Sequence, residues 1–349
     1  MRILSYSRSM AGMLATRKFR TEMRCGSESI NRGGLPGDNM KLLKTAGIAA
    51  LSRQLISLTC LLVVTPYLLT THASELARMQ GAPSNASGQE GIVKLADSDI
   101  EYFSQGHGEA IVLLPFGGLT VGYMQELSQD LADAGYRVVR INFRGSGAST
   151  GSEKNVTLHT LADDVAGVIK ALKLGKVDIA GHAFGNRVAR TLAADHPELV
   201  RSVILFAAGG KVPPDPPGER ALQAIFNPAS TDTDILSQMK YMVGNAAEIP
   251  MAWQAIKPCR APQVAGTQRT AMQNTPLKDW WAPPGEAKYL VLQGTNDQIA
   301  PPENGALLKQ ELGERATLVS FPGAGHLFIV TEPKKAAAAV VSFLRQTRT

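Results

Sequence analysis

The chain is 349 residues long, 44% hydrophobic and 19% charged, enough apolar material for a full core, which excludes a disordered or fibrous main state. Its net charge of +6 is unevenly spread: residues 1–73 hold ten Lys/Arg against three Asp/Glu, leaving 26 basic and 27 acidic residues for the rest. The basic excess belongs to the leader, and the body lacks the clustered cations of a nucleic-acid-binding surface.

Residues 1–39, rich in Arg, Ser and Gly, read as an upstream start-site extension or a disordered tail. From Met40, Lys41, Lys44 and Arg53 precede an uncharged run, Leu55 to Thr70, that closes on Thr71-His72-Ala73-Ser74. Segment 40–73 therefore reads as a secretory signal cut after Ala73. Interrupted by Pro66, the run is short for a span of about 20 residues; the alternative is an uncleaved N-terminal anchor through residues 54–70. The expectation is an exported protein, periplasmic or secreted, with membrane contact only through this segment. Cys25 and Cys60 lie in the leader, so Cys259 is alone in the mature chain and no internal disulfide is expected. Residues 74–90 are polar and small, as in a linker.

Order is expected from residue 91 onward. Asp99–Ser104 alternates like a half-buried strand, Gly106-His107-Gly108 turns, and Ala110–Pro115 is a continuous apolar run suited to a buried strand. A helix is expected over Tyr123–Ala134, a strand over Tyr136–Phe143, a helix over Thr157–Leu174, and a strand over Val177–Ala180. A helix over Asn186–Asp195 and a strand over Val200–Ala207 follow. The pattern breaks near Gly210 and resumes with strand Tyr289–Gln293, helix Pro302–Leu312, strand Ala316–Phe321 and helix Pro333–Arg345. Strands alternating with helices imply βαβ units and a mostly parallel sheet flanked by helices.

From Ile92 to Arg345 the chain resembles the α/β-hydrolase fold of bacterial esterases, haloalkane dehalogenases and epoxide hydrolases. Asp99–Tyr102 through Gly106-His107-Gly108, then Ile111–Leu114, resembles the family's first hairpin and third strand. Arg144-Gly145-Ser146-Gly147-Ala148-Ser149 matches its R-G-x-G-x-S turn, and Gly181-His182-Ala183-Phe184-Gly185 stands where the family carries G-x-S-x-G. Gly294-Thr295-Asn296-Asp297 with Pro301 matches the acid loop, and Gly323-Ala324-Gly325-His326 the histidine loop. The resemblance implies one α/β-hydrolase domain over 91–349, with a helical lid at about 211–286.

Two departures sit where the chemistry belongs. The nucleophile position holds Ala183, whose methyl cannot attack a carbonyl, so the covalent serine route is closed. Pro115-Phe116-Gly117-Gly118 replaces the family's H-G after the third strand, leaving Gly117 N–H and Phe184 N–H as the expected oxyanion donors. The resemblance makes Asp297 the partner of His326, either as a general base or as an inherited hydrogen bond. His182 is expected to point away from the pocket, and His107, His159 and His196 show no ligand spacing, so neither a metal nor another cofactor is expected. Phe116, Trp253, Trp280 and Trp281 are expected to line a site for a small apolar or aromatic molecule, or to form the lid's own core. Three functions stay open: a feeble esterase-like hydrolase, a non-covalent enzyme using His326 and Asp297 as general base, and a non-catalytic binding or sensing protein. The oligomeric state is undetermined from sequence.

Overall fold

The computed structural model describes Gly88–Arg348. The readings made for 1–39, 40–73 and most of the linker lie outside the described residues. Nine strands form one sheet: β1 (Gln89–Lys94), β2 (Ser98–Gln105), β3 (Ala110–Leu114), β4 (Arg137–Ile141), β5 (Thr150–Gly151), β6 (Val177–His182), β7 (Val200–Phe206), β8 (Lys288–Gly294) and β9 (Ala316–Phe321). Their order is β1-β2-β4-β3-β6-β7-β8-β9, with the short β5 paired to β2. The β1–β2, β2–β4 and β2–β5 pairings are antiparallel and all those from β4 through β9 parallel. β1 starts inside the stretch read as linker; its mixed, mostly exposed residues carry little apolar signal.

The continuous apolar runs are explained by burial on both faces. In β3, Ile111 and Leu113 enter one core cluster while Val112 and Leu114 enter the other; Ile204 and Phe206 against Val203 and Leu205 repeat the division in β7. Helices α1 (Gln125–Asp133) and, at the C-terminus, the helix over Pro333–Gln346 cover the first face through Leu127, Leu131, Val340 and Phe343. α2 (Leu158–Ala171), α3 (Phe184–Asp195) and the helix over Glu303–Leu312 cover the second. α1 is shorter than expected because Val121–Met124 winds as a 3₁₀ turn.

The R-G-x-G-x-S turn is fastened to α2 by a buried fork: Arg144 Nε and a terminal nitrogen each donate to Asp164 at 2.7 Å, and Ser98 Oγ donates to the same carboxylate at 2.6 Å. Between β7 and β8 the chain folds as α4 (Pro216–Phe226), α5 (Asp232–Met239), α6 (Ile249–Ile256), α7 (Ala265–Gln273) and α8 (Leu277–Trp280), joined by 3₁₀ turns. Among the described residues no helix is long and apolar enough to cross a membrane.

Candidate active site

Site residues sit at the carboxyl ends of the parallel strands, where open α/β sheets place their crevice. The β6–α3 turn holds Ala183 at φ 49°, ψ −104°, a conformation that costs a residue with a Cβ of order 1–3 kcal/mol. Flanking glycines make the turn sterically accessible. A Cβ on Gly181 would lie 2.3 Å from the Gly185 carbonyl, and one on Gly185 would lie 2.5 Å from Leu114 O and 2.7 Å from Pro115 O. The helix can therefore begin almost in contact with the chain leaving β3.

That proximity brings the two expected backbone donors together. Phe184 is the first residue of α3, so its N–H has no intrahelical acceptor. Neither Phe184 N–H nor Gly117 N–H is engaged in a hydrogen bond among the described residues, while their neighbours are: Phe116 N–H donates to Tyr123 Oη and Gly118 N–H to Gln268 Oε1, both at 2.8 Å.

His326 comes from the loop after β9 and Asp297 from the loop after β8. Asn296 N–H donates to Ala324 O at 2.9 Å, and Thr295 N–H donates to Phe321 O at 3.0 Å, stitching the two loops together. His326 Nδ1 lies 2.9 Å from Asp297 Oδ2, and Asp297 Oδ1 also accepts Ile299 N–H and Ala300 N–H at 2.9 and 2.8 Å. Because the carboxylate accepts, Nδ1 carries a proton, and in the uncharged form of the ring the lone pair lies on Nε2. Nε2 is fully buried without a hydrogen-bond partner, and Phe116 packs edge-on against the ring at 5.1 Å. The structure thus brings together Asp297 and His326, which the resemblance pairs.

His182 is fully buried, and burial, with His326 close by, pushes its pKa well below the usual imidazole value. The ring is neutral, so its Nε2–H donates to His326 O at 2.9 Å and its Nδ1 accepts the Tyr123 hydroxyl at 2.8 Å. It thus spans the histidine loop and, through Tyr123, the loop after β3. In the unfolded chain this histidine protonates near its ordinary pKa of about 6.5. Its contribution to stability is therefore fully present above that pH and declines below it as the unfolded state takes up the proton that the folded state refuses. Chemical denaturation should show stability falling from pH 7 toward pH 5, and in His182→Gln this component of the pH dependence should vanish.

Ala183, Phe184, Phe116, Gly117 and His326 line one cavity of about 110 Å³. Its remaining wall includes Arg187, Leu222 and Phe226, together with Gln268, Arg269 and Met272 from α7. The three tryptophans correct the sequence expectation, because none of them lines this cavity. Trp280 and Trp281 pack on the guanidinium of the fully buried Arg190, at 4.6 and 5.0 Å from the ring centroids, while Arg190 donates to Trp281 O and Gly209 O. Trp253 is buried in the core cluster on the other face. The largest rings fasten the inserted segment down, where burial gains most. Arg187, Gln268 and Arg269 were not anticipated. A signal existed only for Arg187, which lies in the first turn of α3, directly after the turn at Ala183. Among the described residues no group of three or more His, Cys, Asp or Glu is placed to hold a metal ion.

The model of the α/β hydrolase fold matches residues 109–333. The chain belongs to the α/β hydrolase fold family. A 2-hydroxy-6-oxo-6-phenylhexa-2,4-dienoate hydrolase of Comamonas testosteroni is 28% identical over 271 residues, covering 72% of this chain and 93% of the relative. A 2-hydroxymuconate semialdehyde hydrolase of Pseudomonas sp. (strain CF600) is 27% identical over 199 residues, covering 53% and 67%. Among solved structures, a thermophilic esterase from Thermogutta terrifontis shares the fold with a TM-score of 0.63 at 22% identity, covering 75% of this chain and all of that one. The mostly parallel sheet and its flanking helices are thus those of the α/β hydrolase fold.

Proposed function

We propose that this member of the family works without a covalent nucleophile: Ala183 occupies the nucleophile position, and His326, held by Asp297, acts as general base on a small apolar or aromatic molecule. The base activates water or removes a substrate proton, and Gly117 N–H and Phe184 N–H receive the developing negative charge. The helices between β7 and β8 form the lid over the site. One observation carries the reading, namely the unpartnered, fully buried Nε2 of His326 in a cavity otherwise walled mostly by apolar side chains. Leaving a buried ring nitrogen unpaired costs about 1–3 kcal/mol, an expense that a bound ligand or water would offset. The hydrolase relative named for a phenyl-bearing dienoate supports an aromatic ligand.

The second reading, binding without turnover, is favoured by Ala183 itself, since the strained turn is kept while the group it would present is a methyl. The two readings are separated by assaying small aromatic esters and conjugated ketones with the parent and with His326→Ala. Under the base mechanism, turnover by the parent should fall about 10²- to 10⁴-fold in the variant. Ligand binding by the parent with no His326-dependent turnover would leave binding as the function.

A further inference from the structure

The cavity is not only apolar. Arg187 stands on its wall with its guanidinium beside Gly209, where a terminal nitrogen would lie 3.8 Å from an added Cβ. The guanidinium faces the Trp280 ring at 5.2 Å, and none of its N–H groups donates to a protein acceptor among the described residues. Burial alone lowers its pKa to about 10, with no carboxylate near enough to oppose the shift, so the group stays cationic at neutral pH. The cavity wall contains no Asp or Glu among the described residues, and it carries a second cation, Arg269, exposed to solvent.

A second donor is independent of the first. Gln268 is 5% exposed, and its Oε1 is committed to Gly118 N–H at 2.8 Å. That bond fixes the orientation of the amide and leaves Nε2, which is buried, without an acceptor. The buried amide donor carries a desolvation cost that an acceptor with negative charge would remove, and an unpaired cation lines the same small cavity. Neutral apolar molecules would leave that cost in place and the cation without a partner.

We propose that the ligand of this cavity is an apolar or aromatic carboxylate, its anionic group received by Arg187 and Gln268 Nε2 and its body packed against Phe116, Leu222 and Phe226. This rests on the reading of the cavity as a small-molecule site and adds the charge of what enters it. A carboxylate is matched to guanidinium by geometry as well as charge, since two parallel N–H donors meet two oxygens. The cavity is on the scale of a single aromatic ring, which fixes the size of the probe.

The test is calorimetric titration of the full chain with phenylacetate and with phenylacetamide, which share a ring and a linker and differ in charge. The acid should bind about 10-fold or more tightly than the amide, the scale expected for a charge-assisted contact. In Arg187→Met, which keeps an apolar chain against Trp280, the preference should collapse to within about threefold. Gln268→Glu keeps the acceptor for Gly118 N–H and replaces the free donor by a carboxylate oxygen, so it should abolish the preference by repulsion. This second variant decides the matter if Arg187→Met does not fold. Equal affinities for acid and amide in the parent overturn the anionic group but leave an apolar small-molecule site. Binding of neither probe overturns both, and persistence of the acid preference in either folded variant overturns the assignment to these residues.

Discussion

Ala183→Ser should convert the protein into a measurable hydrolase of short activated esters, with a rate about two to four orders of magnitude above the parent and dependent on His326. The substitution adds one oxygen where the backbone already holds φ 49° and the side chain lines the cavity. The same cavity holds a base whose Nε2 is unpartnered, with a carboxylate bracing Nδ1 at 2.9 Å, and two disengaged backbone donors at Gly117 and Phe184. The measurement is p-nitrophenyl acetate hydrolysis by Ala183→Ser, with Ala183→Ser/His326→Ala as control. A folded single variant that gains nothing would mean that Pro115-Phe116-Gly117 no longer presents an oxyanion donor, and the Gly117 and Phe184 assignment would fail.

Gly185→Ala should be strongly destabilising. Its Cβ would stand 2.5 and 2.7 Å from the carbonyl oxygens of Leu114 and Pro115, both main-chain atoms at the end of a central strand. Neither can turn aside as a flexible side chain would, so α3 must lift from β3. Overpacking of this kind costs about 3 kcal/mol or more, which for a domain of this size lowers Tm by roughly 6–12 °C. Thermal unfolding checks the stability. Because the same shift separates Gly117 N–H from Phe184 N–H, Gly185→Ala placed in the Ala183→Ser background should also erase the gained esterase activity. A melting temperature within a degree of the parent would show that the turn has slack the packing does not suggest.

The central sheet was readable because its strands are apolar on both faces and separated by helices with clear stops at Gly135, Gly175 and Pro197. Boundaries slipped by one to three residues where a turn of 3₁₀ helix or a capping residue shares the helical pattern, as at Val121–Met124. β1 escaped notice because an edge strand has half its ladder in solvent and needs no apolar run. The Asp297–His326 pair and the turn at Ala183 were legible because each depends on a short motif whose glycines are demanded by close backbone contacts. The cavity wall was not. Which residues between β7 and β8 line the cavity depends on how α4 and α7 lie over the sheet, and composition alone favoured the tryptophans over Gln268, Arg269 and Met272. The tryptophans went instead to Arg190 and to the core cluster on the other face, where they are buried.

The bridge through His182 also governs how the site can open. Phe116 N–H, the Tyr123 hydroxyl, the His182 ring and the His326 carbonyl form a chain of three hydrogen bonds with a single sense of donation, and the phenol and imidazole in it are buried. Reversing or breaking one link strands the next, so the loop after β3 and the loop after β9 are expected to move together. On the proposed lid reading, entry and exit of a ligand are expected to run through displacement of α4 and α7. Amide hydrogen exchange is accordingly expected to be fast in those two helices and slow at Ala183 and His326, which separates the part of the pocket that breathes from the part that keeps its shape.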